Sequence, residues 1–252
     1  MARFWRSEWT RWTLPCVSLA ALLVGWQLLV RGLDIQEWIL PAPTAVGSTA
    51  LDWHTELFAH GWVTLYETVL GFLVAVAIAL PISVLVVYVP ALQSTLYPVL
   101  LALQSIPKVA VAPLITLWVG FGIAPKVVVV FLVCFFPIVV NTIAGLQSTP
   151  TAMLHLMKSM QASPWQVFKR VRLPVALPSI MVGCKVAITL AVIGAVIGEF
   201  VGSEEGLGYL ILTSTAQSKT ALAFAALAIL TFISIVLYYL VELVEKLLIR
   251  WD

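Results

Sequence analysis

Long uncharged apolar runs alternate with short polar segments along this chain. The run 13–30 carries no charge. Neither do the 40 residues between Glu67 and Lys108. That stretch is too long for one helix, because a bilayer core of ~30 Å takes roughly 20 residues. Val89-Pro90 divides it, since proline opposes helix continuation and drives its predecessor to extended geometry. The pattern predicts spans near 13–30, 62–89, 92–119, 127–147, 179–201 and 221–245. The third holds Pro107 and Pro113 and is expected to be kinked or broken. Gly120-Phe121-Gly122 ahead of Pro125-Lys126 is a turn signal. The expected fold class is all-α, a polytopic membrane protein with about six transmembrane helices in a single domain over 13–252.

Composition agrees with that patterning. Of 252 residues, 62% are hydrophobic and 10% charged, against about 25% charged in a soluble globular domain. A water-soluble enzyme and a disordered chain are excluded. The net charge of +2 is too small for a nucleic-acid partner. Cys16, Cys134 and Cys184 lie in apolar runs with no CxxC spacing, which suits small packing residues. No signal peptide is expected. No GxxxxGK[ST] or HExxH occurs, no GxSxG stands with a matching His/Asp set, and His54, His60 and His155 are scattered. The chain is therefore expected to be no enzyme, and to bind no metal or cofactor itself.

Lysine and arginine placement orients the spans. One side carries nine, at 3, 6, 11, 158, 169, 170, 172, 246 and 250, and the other carries three, at 31, 126 and 219. Both termini and the 148–178 loop are expected in the cytoplasm, with 32–61 and 202–219 outside. Trp5, Trp9 and Trp12 beside Arg3, Arg6 and Arg11 predict an interfacial helix over 1–12, or a charged anchor for the first span.

The loop 148–178 predicts two short helices. Pro150 opens the first, and Ser163-Pro164 supplies N-cap and N1 of the second. Pro174 is expected to stop it and Pro178 to start the next span, with a turn at Gln161-Ala162. Met153, Leu154, Met157, Trp165 and Phe168 are too many apolar residues for so short a pair to bury alone. Either a cytoplasmic partner or the lipid surface covers them.

Charges within helices cost ~2.5–3.5 kcal/mol on insertion scales, so Glu67, Lys108, Lys185 and Glu199 stand out. Lys185 and Glu199 lie ~40° apart around one helix and ~21 Å apart along it. They cannot pair. They either snorkel or line a path, with Glu199 near its outer mouth. Gly194, Gly198 and Gly202 fall at i, i+4, i+8, which allows close helix approach at a dimer axis, along a path or within one subunit. Asn141 is expected to bond a neighbouring helix. The candidate path residues are Glu67, Ser105, Lys108, Asn141, Gly194, Gly198 and Glu199.

Six motifs in register carry a resemblance over about residues 39–250. The run 162–180, with Ala162-Ser163, Trp165-Gln166, Phe168, Arg170-Val171, Leu173-Pro174 and Ala176-Leu177-Pro178, resembles the cytoplasmic "EAA" loop of permease subunits in binding-protein-dependent ABC importers. Pro41-Ala42-Pro43-Thr44, Ile106-Pro107 with Ala112-Pro113-Leu114, Leu117-Trp118 with Pro125-Lys126, Phe135-Phe136-Pro137 with Asn141-Thr142, and Gly206-Leu207-Gly208-Tyr209 look like the nitrate/sulfonate/taurine branch. The resemblance implies a type I importer permease fold in the bacterial plasma (inner) membrane. It implies a second copy of the chain, two cytoplasmic ATPases carrying ATP and Mg, and an extracytoplasmic binding protein. By position it implies ATPase coupling through Thr151, His155, Lys158, Ser159, Gln161, Ala162, Ser163, Trp165 and Phe168. His155 stands where the family usually has Glu, and Gln161 where it usually has Gly. A finer likeness, through 64–72, 105–110 and 191–199, is to importers of thiamine-precursor pyrimidines and riboflavin. The substrate is then a small heterocycle, or a sulfonate, nitrate or taurine-like anion. The competing readings are a stand-alone secondary transporter or channel, which inverted repeats would support, and an intramembrane enzyme.

Overall fold

The structure, a computed structural model, describes residues 8–249. They form α1 (Glu8–Gly32), α2 (Pro43–Asp52), α3 (His54–Tyr88), α4 (Pro90–Gln104), α5 (Lys108–Val119), α6 (Ile123–Gln147), α7 (Thr151–Ser159), α8 (Pro164–Val167), α9 (Leu173–Phe200), α10 (Leu207–Ala216) and α11 (Thr220–Leu248). A π-helical turn at 168–172 joins α8 to α9. No strand occurs among the described residues. The protein is an all-α polytopic membrane protein.

Among the described residues, four helices are long and apolar enough to cross a membrane: His54–Tyr88, Ile123–Gln147, Pro164–Phe200 and Thr220–Leu248. The apolar part of α1, Cys16–Gly32, falls short of that length. The aromatic, basic face expected over 1–12 lies outside the described residues at 1–7, and the side chains of 8–12 lie outside them too.

The span expected at 92–119 is two helices. Proline fixes both ends of the first piece. Val89 is extended (φ −114, ψ 99) and Pro90 starts α4. Ser105 and Ile106 end it, and Pro107 (φ −64, ψ 107) precedes α5. Gly120 and Gly122 then turn the chain with φ of +93 and +108, values that favour glycine.

Three boundaries differ from expectation. α3 begins at His54 and runs 35 residues, about 52 Å, so it overshoots a ~30 Å core by several turns. The segment expected as loop up to 61 is its first two turns. Between 202 and 219 the chain forms α10. Pro174 and Pro178 neither stop nor start a helix, since Pro164–Phe200 is continuous over 37 residues. In the π turn the Leu173 N–H donates to Phe168 O, five residues back. The widened turn makes room for the Pro174 ring, which an α turn would press against the carbonyl four residues earlier.

The core lies where α6 packs on α9, with α3 against α6 and α11 against α9. Glycine allows those approaches. A Cβ on Gly71 of α3 would stand 2.5 Å from Val130 of α6. On α9, Cβ atoms at Gly183, Gly194 and Gly198 would meet Asn141 at 2.8 Å, Val130 at 3.0 Å and Lys126 at 3.1 Å. All three glycines face α6 of the same protomer. Gly194 and Gly198 therefore serve the packing of α9 on α6 within one subunit. Gly202 lies beyond the helix end, beside Phe121. Cys134 and Cys184 are free and buried in this core, as packing residues should be.

Candidate functional site

The 148–178 segment folds as one short helix, α7, and, after a tight turn, the first turns of the continuous helix Pro164–Phe200. α7 closes with a Schellman pattern: Ala162 N–H donates to Met157 O at 3.0 Å and Gln161 N–H to Lys158 O at 3.0 Å. This pattern needs a left-handed residue between the two helices, and Gln161 takes it at φ +54. Ser163 then caps α8 reciprocally. Its backbone N–H donates to Gln166 Oε1 at 2.8 Å, and Gln166 N–H donates to Ser163 Oγ at 3.3 Å.

The turn leaves apolar groups uncovered. Leu156, Met160 and Trp165 are 62%, 69% and 67% exposed, and Met153 is exposed as well. Leu154, Met157 and Phe168 are half-buried, and Thr151, His155, Lys158, Ser159, Gln161 and Ser163 are exposed around them, with Ala162 half-buried. Trp165 stacks on Phe168 at 5.5 Å, and Phe168 meets Tyr88 of α3 edge-on at 6.2 Å. Arg172 lies over the same Tyr88 ring at 5.0 Å. The loop is thus fastened to a long helix on one side and open on the other.

At the opposite end of the bundle sits a buried polar cluster. Glu67 of α3 and Lys126 of α6 form an ion pair at 2.6 Å, at 1% and 8% exposure. Glu199, fully buried near the end of α9, accepts from the Thr64 hydroxyl at 2.6 Å and from the Gly208 N–H at 2.5 Å. Thr64 Oγ1 also accepts the Leu207 N–H at 2.8 Å, and His60 Nδ1 accepts the Gly206 N–H at 2.9 Å. The N–H groups of 206, 207 and 208 are the unpaired donors at the start of α10. Side chains from two other helices satisfy all three, and the Glu199 carboxylate complements the positive end of the α10 dipole.

Glycine is required here. At Gly206 (φ +109) a Cβ would fall 2.2 Å from the Glu199 carboxyl carbon, and at Gly208 2.7 Å from Glu199 Oε2. The Gly-Leu-Gly motif is a cradle for one carboxylate. Sequence reasoning singled out Glu67 and Glu199 but placed Lys126 in a solvated loop and missed His60 and Thr64. The available signal was Glu67 itself, since an acid this deep in an apolar helix demands a basic partner.

The remaining candidates are separate from this cluster. Ser105 caps α4 and is exposed, and Lys108 Nζ donates to Gln104 O across the helix break. Asn141 Nδ2 donates to Pro137 O at 2.8 Å within its own helix, not to a neighbouring one. Lys185 does not snorkel free: it pairs with Glu245 of α11 at 2.7 Å. A cavity of about 670 Å³ opens beside the Glu67–Lys126 pair, lined by Trp62, Tyr66, Phe121 and the 202–205 turn.

Comparison with known proteins fits these parts together. The chain is 40% identical over 254 residues to the riboflavin transport system permease protein RibX of Chloroflexus aurantiacus, covering 98% of this chain and 92% of that one. It is 34% identical over 238 residues to the formylaminopyrimidine transport permease protein ThiX of Halalkalibacterium halodurans, covering 94% and 95%. Its fold is similar to a chain of the MetNI methionine ABC transporter in an inward-facing conformation, with a TM-score of 0.66 at 23% identity over 79% of this chain and 97% of that one. Residues 68–251 match the profile of the binding-protein-dependent transport system inner membrane component, and the chain belongs to that family of ABC transporter permeases.

Proposed function

We propose that two copies of this chain form the substrate pathway of an ABC importer in the bacterial inner membrane. Both termini and the 151–168 turn face the cytoplasm. Two separate ATPases, which carry ATP and Mg, dock on Thr151, His155, Lys158, Ser159, Gln161, Ala162, Ser163, Trp165 and Phe168. The chain itself hydrolyses nothing. An extracytoplasmic binding protein delivers a small heterocycle, or a sulfonate, nitrate or taurine-like anion, to the faces built by 32–61 and 202–219.

One observation carries this reading. The helix–turn–helix presents Met153, Leu156, Met160 and Trp165 uncovered while its other side is fastened to Tyr88. Uncovered apolar groups rimmed by polar ones suit a protein partner. The Trp165–Phe168–Tyr88 contact gives motion of that partner a route into α3. A stand-alone transporter gives this loop no role.

The test is a pull-down of tagged chain from gently solubilised membranes, with mass spectrometry of what co-elutes. A stoichiometric ATPase with a phosphate-loop motif is expected. Ala162→Asp is expected to abolish its recovery and to stop transport while the chain still inserts. Transport by that variant at the wild-type rate overturns the docking assignment.

A further inference from the structure

We infer that a groove between α3, α6 and the start of the Pro164–Phe200 helix holds an acyl chain of an acidic phospholipid, with its phosphate at Arg172 and Lys169. This lipid site requires neither a substrate nor an ATPase.

The groove has a volume of about 620 Å³ and is walled by Leu80, Val84 and Leu85 of α3, Leu146 of α6 and Ile180 of α9. Tyr88, Trp165 and Phe168 line the end nearest the 148–178 segment. From Leu80 to Tyr88 the groove follows α3 for about 12 Å, and from Leu173 to Ile180 it follows α9 for about 10 Å. The hydrocarbon of one leaflet is about 15 Å deep, half of a bilayer core. The groove therefore runs along the spans for most of a leaflet's depth. An extended hydrocarbon chain entering from the bilayer fills such a shape, whereas a protein docked on the turn reaches only its mouth.

The mouth is basic and unopposed. Arg172 is half-buried over the Tyr88 ring at 5.0 Å, and Lys169 and Arg170 are exposed on the same turn. Lys169 stands three residues before Arg172, so the two are neighbours on the helix surface and can share one phosphate. No aspartate or glutamate occurs between Glu67 and Glu199, so every wall of the groove is free of acids. From α11 come Glu242 and Glu245, which are already paired with Lys246 and Lys185. Among the described residues none of the three cations at the mouth forms an ion pair. Basic groups at the end of apolar helices attract anionic headgroups.

The test is native mass spectrometry of the full chain in detergent, titrated with dioleoyl phosphatidylglycerol or dioleoyl phosphatidylcholine, which share their acyl chains. One phosphatidylglycerol per chain is expected to be retained, at several-fold higher affinity than phosphatidylcholine. Arg172→Gln and Lys169→Gln are each expected to weaken phosphatidylglycerol about fivefold, the worth of one charge at a lipid surface. Arg172→Gln also alters the contact with Tyr88, and Lys169→Gln, at an exposed site, leaves it in place. Leu85→Trp, at an exposed position on the groove wall, is expected to weaken both lipids with every charge retained. Lys158→Gln on α7, outside the groove, is expected to change neither. Glycerol 3-phosphate, a headgroup without a chain, is expected not to displace the lipid. Equal affinity for the two lipids, displacement by glycerol 3-phosphate, an affinity unmoved by Lys169→Gln or by Leu85→Trp, or an equal loss in Lys158→Gln overturns the inference. Displacement of phosphatidylglycerol by the ATPase recovered in the pull-down overturns it too, and assigns the groove to that protein.

Discussion

The Thr64 hydroxyl donates to Glu199 Oε1 at 2.6 Å and accepts the Leu207 N–H at 2.8 Å, with both side chains fully buried. One hydroxyl thereby ties α3 to the end of α9 and to the start of α10. Thr64→Val keeps the shape and removes the hydroxyl, leaving a buried carboxylate oxygen and a buried N–H each one partner short. Each orphaned group costs about 1–3 kcal/mol, so a loss of at least about 2 kcal/mol is expected in SDS-titrated unfolding from mixed micelles. Thr64→Ser retains the hydroxyl and is expected to keep most of the stability. Equal losses for the two variants would show that methyl packing, not the hydrogen bonds, sets the effect.

The cradle around Glu199 predicts a graded glycine series. Gly206→Ala places a methyl 2.2 Å from the carboxyl carbon at a φ of +109, so clash and backbone strain combine. Gly208→Ala meets only the clash, 2.7 Å from Oε2. Gly47 in α2 has open space where its Cβ would stand, and alanine there is expected to stabilise by roughly 0.5–1 kcal/mol through helix propensity. The expected order of folded yield in membranes is Gly47→Ala above wild type, then Gly208→Ala, then Gly206→Ala. A Gly206→Ala chain as stable as wild type would contradict the buried position of the Glu199 carboxylate.

The ion pair predicts a coupled pair of substitutions. Lys126→Met leaves Glu67 as an uncompensated buried charge, at about 3–5 kcal/mol. Adding Glu67→Gln removes that charge, and the double variant is expected to recover most of the loss. A double-mutant cycle in unfolding free energy measures the coupling. Additive losses would mean that Glu67 and Lys126 do not depend on each other.

Much of the architecture was legible because prolines and charges interrupt otherwise uniform apolar runs. Val89-Pro90 and Pro107 divide α3, α4 and α5 as the sequence implied, and Ser163-Pro164 starts α8. Pro174 misled because its cost disappears in a π turn, which no local pattern announces. Helix faces were harder to read. Helices apolar all round carry no stripe to show which side packs, so Gly194 and Gly198 could be placed on α9 but not aimed at α6. The polar cluster was legible only in part, since Glu67 and Lys126 are 59 residues apart and Thr64 and Glu199 are 135 apart. Spacing along one helix says nothing about partners on another.

Gln161 gives the loop a prediction with two separable readouts. Its φ of +54 is a conformation that costs a non-glycine residue roughly 1 kcal/mol. Gln161→Gly removes that cost but also gives the unfolded chain more freedom, so the net gain is expected to be no more than about 0.5–1 kcal/mol. Hydrogen exchange at the Ala162 N–H, which closes the turn on Met157 O at 3.0 Å, reports this stability directly. Slower exchange at Ala162 in Gln161→Gly is therefore expected, with transport retained because the backbone path of the turn is unchanged. Gln161→Pro tests the same geometry from the other side. Proline cannot reach φ +54 and lacks the N–H that donates to Lys158 O. That variant is expected to open the turn, expose the Ala162 N–H to exchange and lose the ATPase in the pull-down. Faster exchange with the ATPase still bound would show that docking needs the apolar side chains of α7 and α8 but not the turn that sets their angle.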